Sequence, residues 1–495
     1  MTQNEATIKE IKEIGLENGH IICDPEREQI ELTIAKVIMS RYNIKTIREF
    51  DMMCFYQTGV FVKDENGTRI NEILQDFIEM TLIPKKRGED VIQVPYKSTI
   101  ANKNNIINII KAKTYVKLEE FDTKENRINV KNGHLHYFKD KGWSFFPHFE
   151  HDETPYLSLI QLPINYDPSA ENLMMDQVIA DIIGFNEVPF FYEMIAYILM
   201  PNLKYSKAFL LYGPPGHGKT TLLNILFQFI PGHLISQVEL QNLSRRFQIA
   251  NLMGKILNVF DDLPDGKLKR IYLFKRLVTN TQLEGEMKGI QGNVKWKSIC
   301  KLVFSANRTP EVPEDVEDDF WRRWVLIQCY NDFKNDPDKS LKDRQWSESE
   351  LSGLLNKVLE AWIRLENRNG FGDKWEDIDK VRQIWNLDHN PVSHFVAECC
   401  KIGAGEEVDY GEFFKHLNEF REKKGAKEIS KQMMTRSLKK LNKEISDPVK
   451  VNQLANPHSS GKKFEGVDFT LAFKKEKELG KKDGEMSLDD VDWSK

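Results

Sequence analysis

A lysine and a threonine after a glycine-rich turn are the residues of this sequence best suited to chemistry. The run GPPGHGKT fits the pattern in which backbone N–H groups and the lysine hold phosphates and the hydroxyl serves Mg²⁺. Glycines let the backbone curl around an anion, and a helix start adds partial positive charge. The predicted phosphate-binding residues are Gly213, Pro214, Pro215, Gly216, His217, Gly218, Lys219 and Thr220. A glycine turn without a ligand is the alternative, which the Lys-Thr pair and both flanks disfavour.

Two carboxylates at the end of an apolar run supply the second part of this chemistry. Residues 255–262 have the sequence KILNVFDD. We expect Asp261, with Thr220, to hold Mg²⁺ directly or through water, and Asp262 to orient and activate an attacking water. Alone, such a run indicates only a solvated strand end. Its position after the glycine turn predicts phosphoryl transfer.

A third apolar run, 300–307 with the sequence CKLVFSAN, ends in an amide. Ligands collect at the carboxyl ends of strands in open α/β sheets. We therefore expect Asn307 to polarise the attacking water or to contact the terminal phosphate. The alternative is an asparagine that caps the following turn.

Two arginines lie between aromatic residues in the run FWRRW. Arg322 and Arg323 suit an arginine finger that acts on the ATP of a neighbouring subunit and neutralises transition-state charge. We favour Arg323 over Arg322 for this role. Ion pairing with the acidic loop at 311–319 is the alternative.

These side chains need strands and helices that bring them to one edge of a sheet. The apolar run 208–212 predicts a buried strand before the glycine turn, and the residues after Lys219 predict an apolar helix. The predicted fold class is α/β, with a P-loop, AAA+-like ATPase core. A mixed α+β region precedes this core, and a winged-helix-like domain follows it.

The winged-helix expectation comes from residues 392–473. Helices are predicted at 392–400 and 410–424, and Ser430 is the predicted N-cap of a third helix, 431–443. Strands are predicted at 449–463 and 467–473, with a basic loop between them. On the third helix we expect Met433, Met434, Leu438 and Leu441 to face inward and Arg436, Lys439 and Lys440 to contact DNA. A charged, solvated helix on a packing domain is the alternative.

In order along the chain, GPPGHGKT, NVFDD, KLVFSAN and FWRR resemble the motifs of superfamily 3 helicases. The closest layout is that of the poxvirus- and phage/plasmid-type primase–helicase family. The resemblance runs from about residue 55 to 473 and is tight only in the ATPase. Two residues depart from the family pattern. The family usually has Asn or Ser at the position of His217, and often Glu at the position of Asp262. Because no D-x-D precedes the glycine turn, we expect a helicase without its own primase.

The resemblance implies an ATP-dependent DNA helicase that forms a ring, expected to be a homo-hexamer, and uses ATP and Mg²⁺. It also implies a DNA-contacting β-hairpin within residues 277–298, with Lys288 at its tip and Lys295 and Lys297 on its second arm. In the ring channel these lysines are expected to grip a single strand. A separate primase is a further expected partner. Alternatives are an origin-binding replication initiator or loader, and an ATP-binding switch without turnover.

Length and composition set the remaining expectations. The 495 residues carry a net charge of −5, and the six cysteines show no C-x-x-C spacing, which disfavours a zinc site or disulfide framework. Without an apolar span we expect no membrane partner and a cytoplasmic location, in a host cytoplasm if the source is viral or plasmid-borne. The predicted domains are 1–115, helical; 116–200, mixed β/α; 201–335, the ATPase; 336–391, a helical linker; 392–473, winged-helix-like; and 474–495, a charged disordered tail.

Overall fold

The computed structural model describes the chain outside 1–15, 18, 24–28, 124–125, 149–155, 244, 246, 265, 267, 269–270, 280, 287–292, 314–315, 334–340, 342, 424–427, 445–462 and 470–495. The fold is mixed α/β. It divides into two compact units. The first comprises Met1–Pro264, Leu268–Asn307 and Arg323–Trp375, and the second comprises Asp265–Lys267, Arg308–Arg322 and Glu376–Lys495.

A five-stranded parallel sheet is the centre of the first unit. Its strands lie in the order Ile235–Ser236, Leu257–Phe260, Lys301–Ala306, Ala208–Tyr212 and Trp324–Gln328. The three middle strands are almost entirely buried and mostly apolar, as expected where helices cover both faces of a parallel sheet. Each carboxyl end therefore leads to one common edge, as the sequence predicted for the candidate site residues.

Helices pack around this sheet in the first unit. They are Leu173–Ile183, Val188–Leu199, Lys219–Phe229, Ile271–Leu277, Glu348–Arg368 and Asp373–Glu376. The long helix Glu348–Arg368 packs on Val188–Leu199. There the buried Glu193 carboxylate accepts a hydrogen bond of 3.1 Å from Arg364 and another from Arg368. The buried carboxylate with its two guanidinium partners thus joins the two helices.

The N-terminal part of the first unit contains more strands than its sequence predicts. The sequence predicts two short strands in this part, 52–56 and 60–62, and they are present as Met52–Gln57 and Val60–Lys63, in a sheet completed by Ile44–Ile47 and Tyr115–Val116. A second sheet contains Leu16–Glu17, His20–Ile22, Thr81–Arg87 and Asp90–Pro95, and a third contains Arg127–Val130, Gly133–Phe138 and Gly142–Pro147. The helices are Ile30–Arg41, Thr68–Glu79 and Ile100–Thr114. The apolar residues at 8, 11, 14 and 16 have helical spacing in the sequence, but they fall almost entirely outside the described residues.

The expectation that 1–115 is mainly helical was wrong in its strand content. The strands it missed are short, or exposed and charged like Thr81–Arg87, so they lack the alternation by which strands are recognised.

A separate antiparallel hairpin in the first unit pairs Gln282–Glu286 with Asn293–Lys297. Short 3₁₀ turns complete the unit at Glu65–Gly67, Leu118–Glu120, Phe185–Glu187, Gly232–Leu234, Leu240–Asn242 and Ile249–Leu252.

The second unit consists of five helices and one strand pair in its described residues. The helices are Asp318–Trp321, Ile378–His389, Ser393–Cys399, Tyr410–Lys423 and Lys431–Glu444. The strands Cys400–Asp409 and Lys463–Phe469 pair antiparallel, with an irregular register between Ile402 and Glu407. The sequence missed the first strand because its Gly-Ala-Gly segment lacks alternation. The predicted strand 449–463 lies almost entirely outside the described residues.

The inward face of helix Lys431–Glu444 differs from the prediction at one residue. Met434, Leu438 and Leu441 are buried, whereas Met433 is 48% exposed. Residues 434, 438 and 441 follow the i, i+4, i+7 spacing of a single helix face, and a neighbour one residue earlier lies about 100° away from it. Met433 therefore belongs to the outer face. Ser430 caps the helix as predicted, since its hydroxyl accepts a hydrogen bond from Met433 N at 3.2 Å.

All six cysteines are buried thiols. Within the described residues, no single helix is long and apolar enough to cross a membrane; the pair Leu173–Ile183 and Phe185–Leu199, bent by 112°, meets those criteria only when counted together.

A buried lysine begins the central strand Lys301–Ala306. Its Nζ donates a hydrogen bond to Met200 O and lies 5.2 Å from the centroid of the Tyr197 ring. Burial lowers the pKa of Lys301 to about 7. Between pH 7 and the ordinary lysine pKa near 10.5, the unfolded chain therefore holds a proton that the folded chain has lost.

The Lys301→Met variant should reveal, as a function of pH, the free-energy cost of burying Lys301. Because the unfolded wild type binds more protons above pH 7, wild-type stability should rise with pH and the variant should lack that contribution. We expect the stability advantage of the variant over the wild type to shrink by on the order of 1–3 kcal/mol between pH 7 and pH 9.5. Urea denaturation at both pH values measures it. A difference independent of pH would contradict the assignment of a neutral Lys301.

Candidate active site

The glycine turn, residues 213–218, adopts a backbone that only glycine tolerates at its two ends. Gly218 has φ +79°, and a Cβ added there would lie 2.6 Å from Ile182 Cγ1. At Gly213 an added Cβ would lie 2.7 Å from the Cys329 carbonyl oxygen. A side chain at either position would displace packed neighbours. Pro214, Pro215 and Gly216 form the exposed apex of the turn.

Lys219 begins the helix Lys219–Phe229 and directs its side chain back under the turn. Its ammonium donates hydrogen bonds to Gly213 O at 2.7 Å, Pro214 O at 2.9 Å and Asn307 Oδ1 at 2.9 Å. Burial lowers the pKa of Lys219, and the nearby Asp262 and Asp261 carboxylates oppose that shift. The lysine thus presents a fixed positive charge at the inner side of the turn.

Asp261 and Asp262 follow the strand Leu257–Phe260 and face different partners. Asp261 accepts hydrogen bonds from the Thr220 hydroxyl, at 2.9 Å, and from the Ser305 hydroxyl. Asp262 has φ +56°, a left-handed conformation uncommon for a residue other than glycine. Its backbone N–H donates to Ser305 Oγ at 2.8 Å. This turn separates the two carboxylates.

Asn307 connects the two halves of the site. Its Oδ1 accepts from Lys219, and its Nδ2 donates to Asp262 Oδ1 at 2.8 Å. The order of the sheet makes this possible, because the strand that ends at Ala306 lies between the glycine-turn strand and the carboxylate strand. Lys219, Thr220, Asp261, Asp262 and Asn307 thus meet at one edge of the sheet.

Two partners in this site were not predicted from the sequence. Ser305 is fully buried, and its hydroxyl contacts both aspartates: it donates to the Asp261 carboxylate and accepts from the Asp262 backbone N–H. The signal was a polar residue inside an otherwise apolar run. Cys329 O accepts a hydrogen bond from His217 Nδ1 at 3.1 Å, which ties the turn to the strand Trp324–Gln328. Only the sheet order could have placed Cys329 there.

Neither predicted arginine is among the residues that meet at this edge of the sheet. Arg323 lies away from the edge, and Arg322 belongs to the second unit. Arg323 O accepts from Ala208 N at 2.7 Å, at the amino end of the glycine-turn strand, whereas Gly213 follows its carboxyl end. A five-residue strand spans about 16 Å at ~3.3 Å per residue, which exceeds the length of an arginine side chain. Arg323 therefore does not reach the glycine turn of its own chain. Arg322 is exposed and belongs to the second unit.

The hairpin is amphipathic across its two arms. Val294 and Trp296 are buried, and Lys295 and Lys297 are exposed on the opposite face. Lys295 pairs in register with Glu284. A Cβ on Gly285 would lie 2.9 Å from Ile249 Cγ2, so the glycine allows the buried face to lie close to the body of the unit. Lys288, the predicted tip, lies outside the described residues.

The helix Lys431–Glu444, the third of the predicted winged-helix-like region, carries the other predicted DNA contacts. Arg436 and Lys439 are exposed. The side chain of Lys440 lies outside what the structure describes. Tyr410 OH and Lys431 O are hydrogen-bonded at 3.2 Å, and Asn418 and Ile429 exchange two further bonds, which anchor this helix to Tyr410–Lys423.

A family described as one of unknown function, DUF5906, matches residues 211–323, the segment that holds the predicted ATP-site residues and the hairpin. The chain matches no curated protein. Among solved structures, it is similar to "The apo structure of NrS-1 C terminal region (305-718)", with 12% identity and a TM-score of 0.43.

Two A-form apo structures of the same NrS-1 C-terminal region have 13% and 14% identity and TM-scores of 0.42. All three matches cover 89% of this chain and 100% of the other.

Proposed function

We propose that this chain is an ATP-hydrolysing DNA helicase of the superfamily 3 type, built on an AAA+-like P-loop core. The observation that carries the proposal is the continuous hydrogen-bonded path from Lys219 through Asn307 to Asp262. A cation, an amide and a carboxylate at one edge of a parallel sheet suit the binding of a triphosphate and the activation of water. A structural ion pair alone gives no reason for the glycine turn beside it.

The residues present fit ATP with Mg²⁺. The Thr220 hydroxyl and the Asp261 carboxylate, 2.9 Å apart, form a pair of hard oxygen donors of the type that Mg²⁺ prefers. Lys219 supplies the charge for the β and γ phosphates. When bound, Mg²⁺ would hold phosphate oxygens and neutralise their developing charge.

Asp262 is the proposed group that orients and deprotonates the attacking water. The left-handed turn directs it away from Asp261, so one carboxylate serves the metal and the other the water. The amide of Asn307 fixes the orientation of the Asp262 carboxylate. The Oδ1 atom of Asn307 accepts a hydrogen bond from Lys219. A change at the terminal phosphate beside Lys219 would therefore be felt by Asn307, at the end of the strand Lys301–Ala306.

The hairpin is the proposed connection from ATP to DNA. It lies in sequence between the two aspartates and Asn307, and its buried face gives it a fixed base. Because Lys295 faces Glu284 across the arms, we assign the grip on a single strand chiefly to Lys297 and Lys288. In a homo-hexameric ring, copies of this hairpin would line the channel.

A second candidate function is an origin-binding initiator or loader that does not unwind DNA processively. The exposed, well-anchored helix Lys431–Glu444 with Arg436 and Lys439 favours it, since a winged-helix-like arrangement presents such a helix to duplex DNA. The helicase proposal also uses this contact and adds a separate primase as partner. The two differ in whether ATP hydrolysis separates strands.

The Asp262→Asn variant tests the ATP chemistry. It should bind a fluorescent ATP analogue normally, because Lys219, Thr220 and Asp261 remain, and lose hydrolysis on the order of 100-fold or more, because the base is lost. Lys219→Ala should lose nucleotide binding. Phosphate release measures turnover, and Asp140→Asn, in an exposed turn, is the matched control. Wild-type turnover by Asp262→Asn would remove this residue from the mechanism.

Mixing two inactive variants tests the arginine finger. Since Arg323 does not reach its own glycine turn, it should complete the site of a neighbouring subunit. Arg323→Ala and Lys219→Ala should each be inactive alone, and a mixture should recover part of the ATPase rate because mixed rings contain intact composite sites. The same mixture with Arg322→Ala decides between the two arginines. An enzyme that is fully active as a monomer in sedimentation experiments would exclude both.

A further inference from the structure

A polar cavity lies at an edge of the parallel sheet, away from the glycine turn. Its volume is about 460 Å³, within the range of small-ligand sites. It is bounded by the edge strand Ile235–Ser236 and by the N-terminal sheet, near the start of Met52–Gln57 and the end of Val60–Lys63. Its strand lies three places from the glycine-turn strand, about 14 Å at ~4.8 Å per strand. None of the residues assigned to ATP lines it.

Two lysines converge on this cavity. Lys63 Nζ lies 5.5 Å from the Phe50 ring centroid and 3.6 Å from the place where a Cβ on Gly254 would stand, beside Lys255. The Lys255 ammonium donates to His233 O. Burial and then the charge of Lys63 lower the pKa of Lys255. Glu65 is the single carboxylate among the lining residues.

This charge arrangement favours an anion. In the part of the chain that the structure describes, neither lysine forms an ion pair. Two like charges held near each other raise the energy of the site, and an anion between them lowers it. A dianionic phosphate suits two ammonium donors better than a carboxylate does, because it offers several oxygens.

The rest of the lining suits a nucleobase. Phe50 and Met52 supply apolar surface, and the amides of Gln237, Gln248 and Asn251 supply donors and acceptors. Aromatic surface for stacking together with amides for base edges is the usual chemistry of nucleotide recognition.

We propose that this cavity binds one nucleotide, with its phosphate between Lys63 and Lys255 and its base against Phe50. The nucleotide comes either from solution or as one unit of a nucleic acid strand. The cavity acts independently of ATP hydrolysis at the glycine turn.

Binding of thymidine monophosphate and of a short, fluorescein-labelled oligothymidylate tests the proposal on the full chain. Lys63→Gln and Lys255→Gln should each weaken binding about tenfold, the loss of one charge-assisted hydrogen bond. Lys63→Arg should keep it, and Lys36→Gln, on an exposed helix position, is the matched control. Equilibrium dialysis measures the first ligand and fluorescence anisotropy the second.

The two ligands distinguish the sources. If the two lysine variants bind thymidine monophosphate more weakly, and do so also when Lys219→Ala is present, the result supports a free nucleotide. A loss with the oligothymidylate alone, with a salt dependence shallower by about 0.7 per lost phosphate contact, supports a strand. Unchanged affinity for both ligands in both lysine variants would overturn the proposal. ATP hydrolysis should stay at the wild-type rate in Lys63→Gln, so a failure of the ATPase proposal would appear separately.

Discussion

The two hydrogen bonds of the Asn307 amide are the contacts on which the candidate site depends. One holds the Lys219 ammonium at 2.9 Å and the other holds the Asp262 carboxylate at 2.8 Å. Both require the strand Lys301–Ala306 to lie between the glycine-turn strand and the carboxylate strand. If the two outer strands were adjacent, Asn307 could not contact both groups. The sheet order is therefore a constraint on function as well as on folding.

This constraint explains what the sequence could predict. Local patterns gave the glycine turn, the helix after it, both aspartates and Asn307, because each depends on a short run of residues. The hydrogen bonds of Ser305 and the contact of Cys329 with His217 depend on strand order, which no local pattern contains. The strand Cys400–Asp409 was missed for a related reason, since its irregular register breaks the alternation.

The placement of Arg323 bears on the proposed ring. An arginine at the amino end of a strand cannot serve a phosphate site at the carboxyl end of the neighbouring strand in the same chain. An arginine finger at this position requires a second subunit. The proposed role of the hairpin also fits a ring, because one hairpin offers few exposed lysines and several around a channel would supply a continuous grip.

The central claim is that ATP hydrolysis at this site separates DNA strands. Strand displacement on forks with a 3′ or a 5′ tail, in the presence of ATP and Mg²⁺, measures this directly. The account predicts that the wild type displaces the strand of at least one fork and that Asp262→Asn displaces neither. A wild type that hydrolyses ATP and binds both forks, yet displaces no strand, would contradict it and favour the initiator.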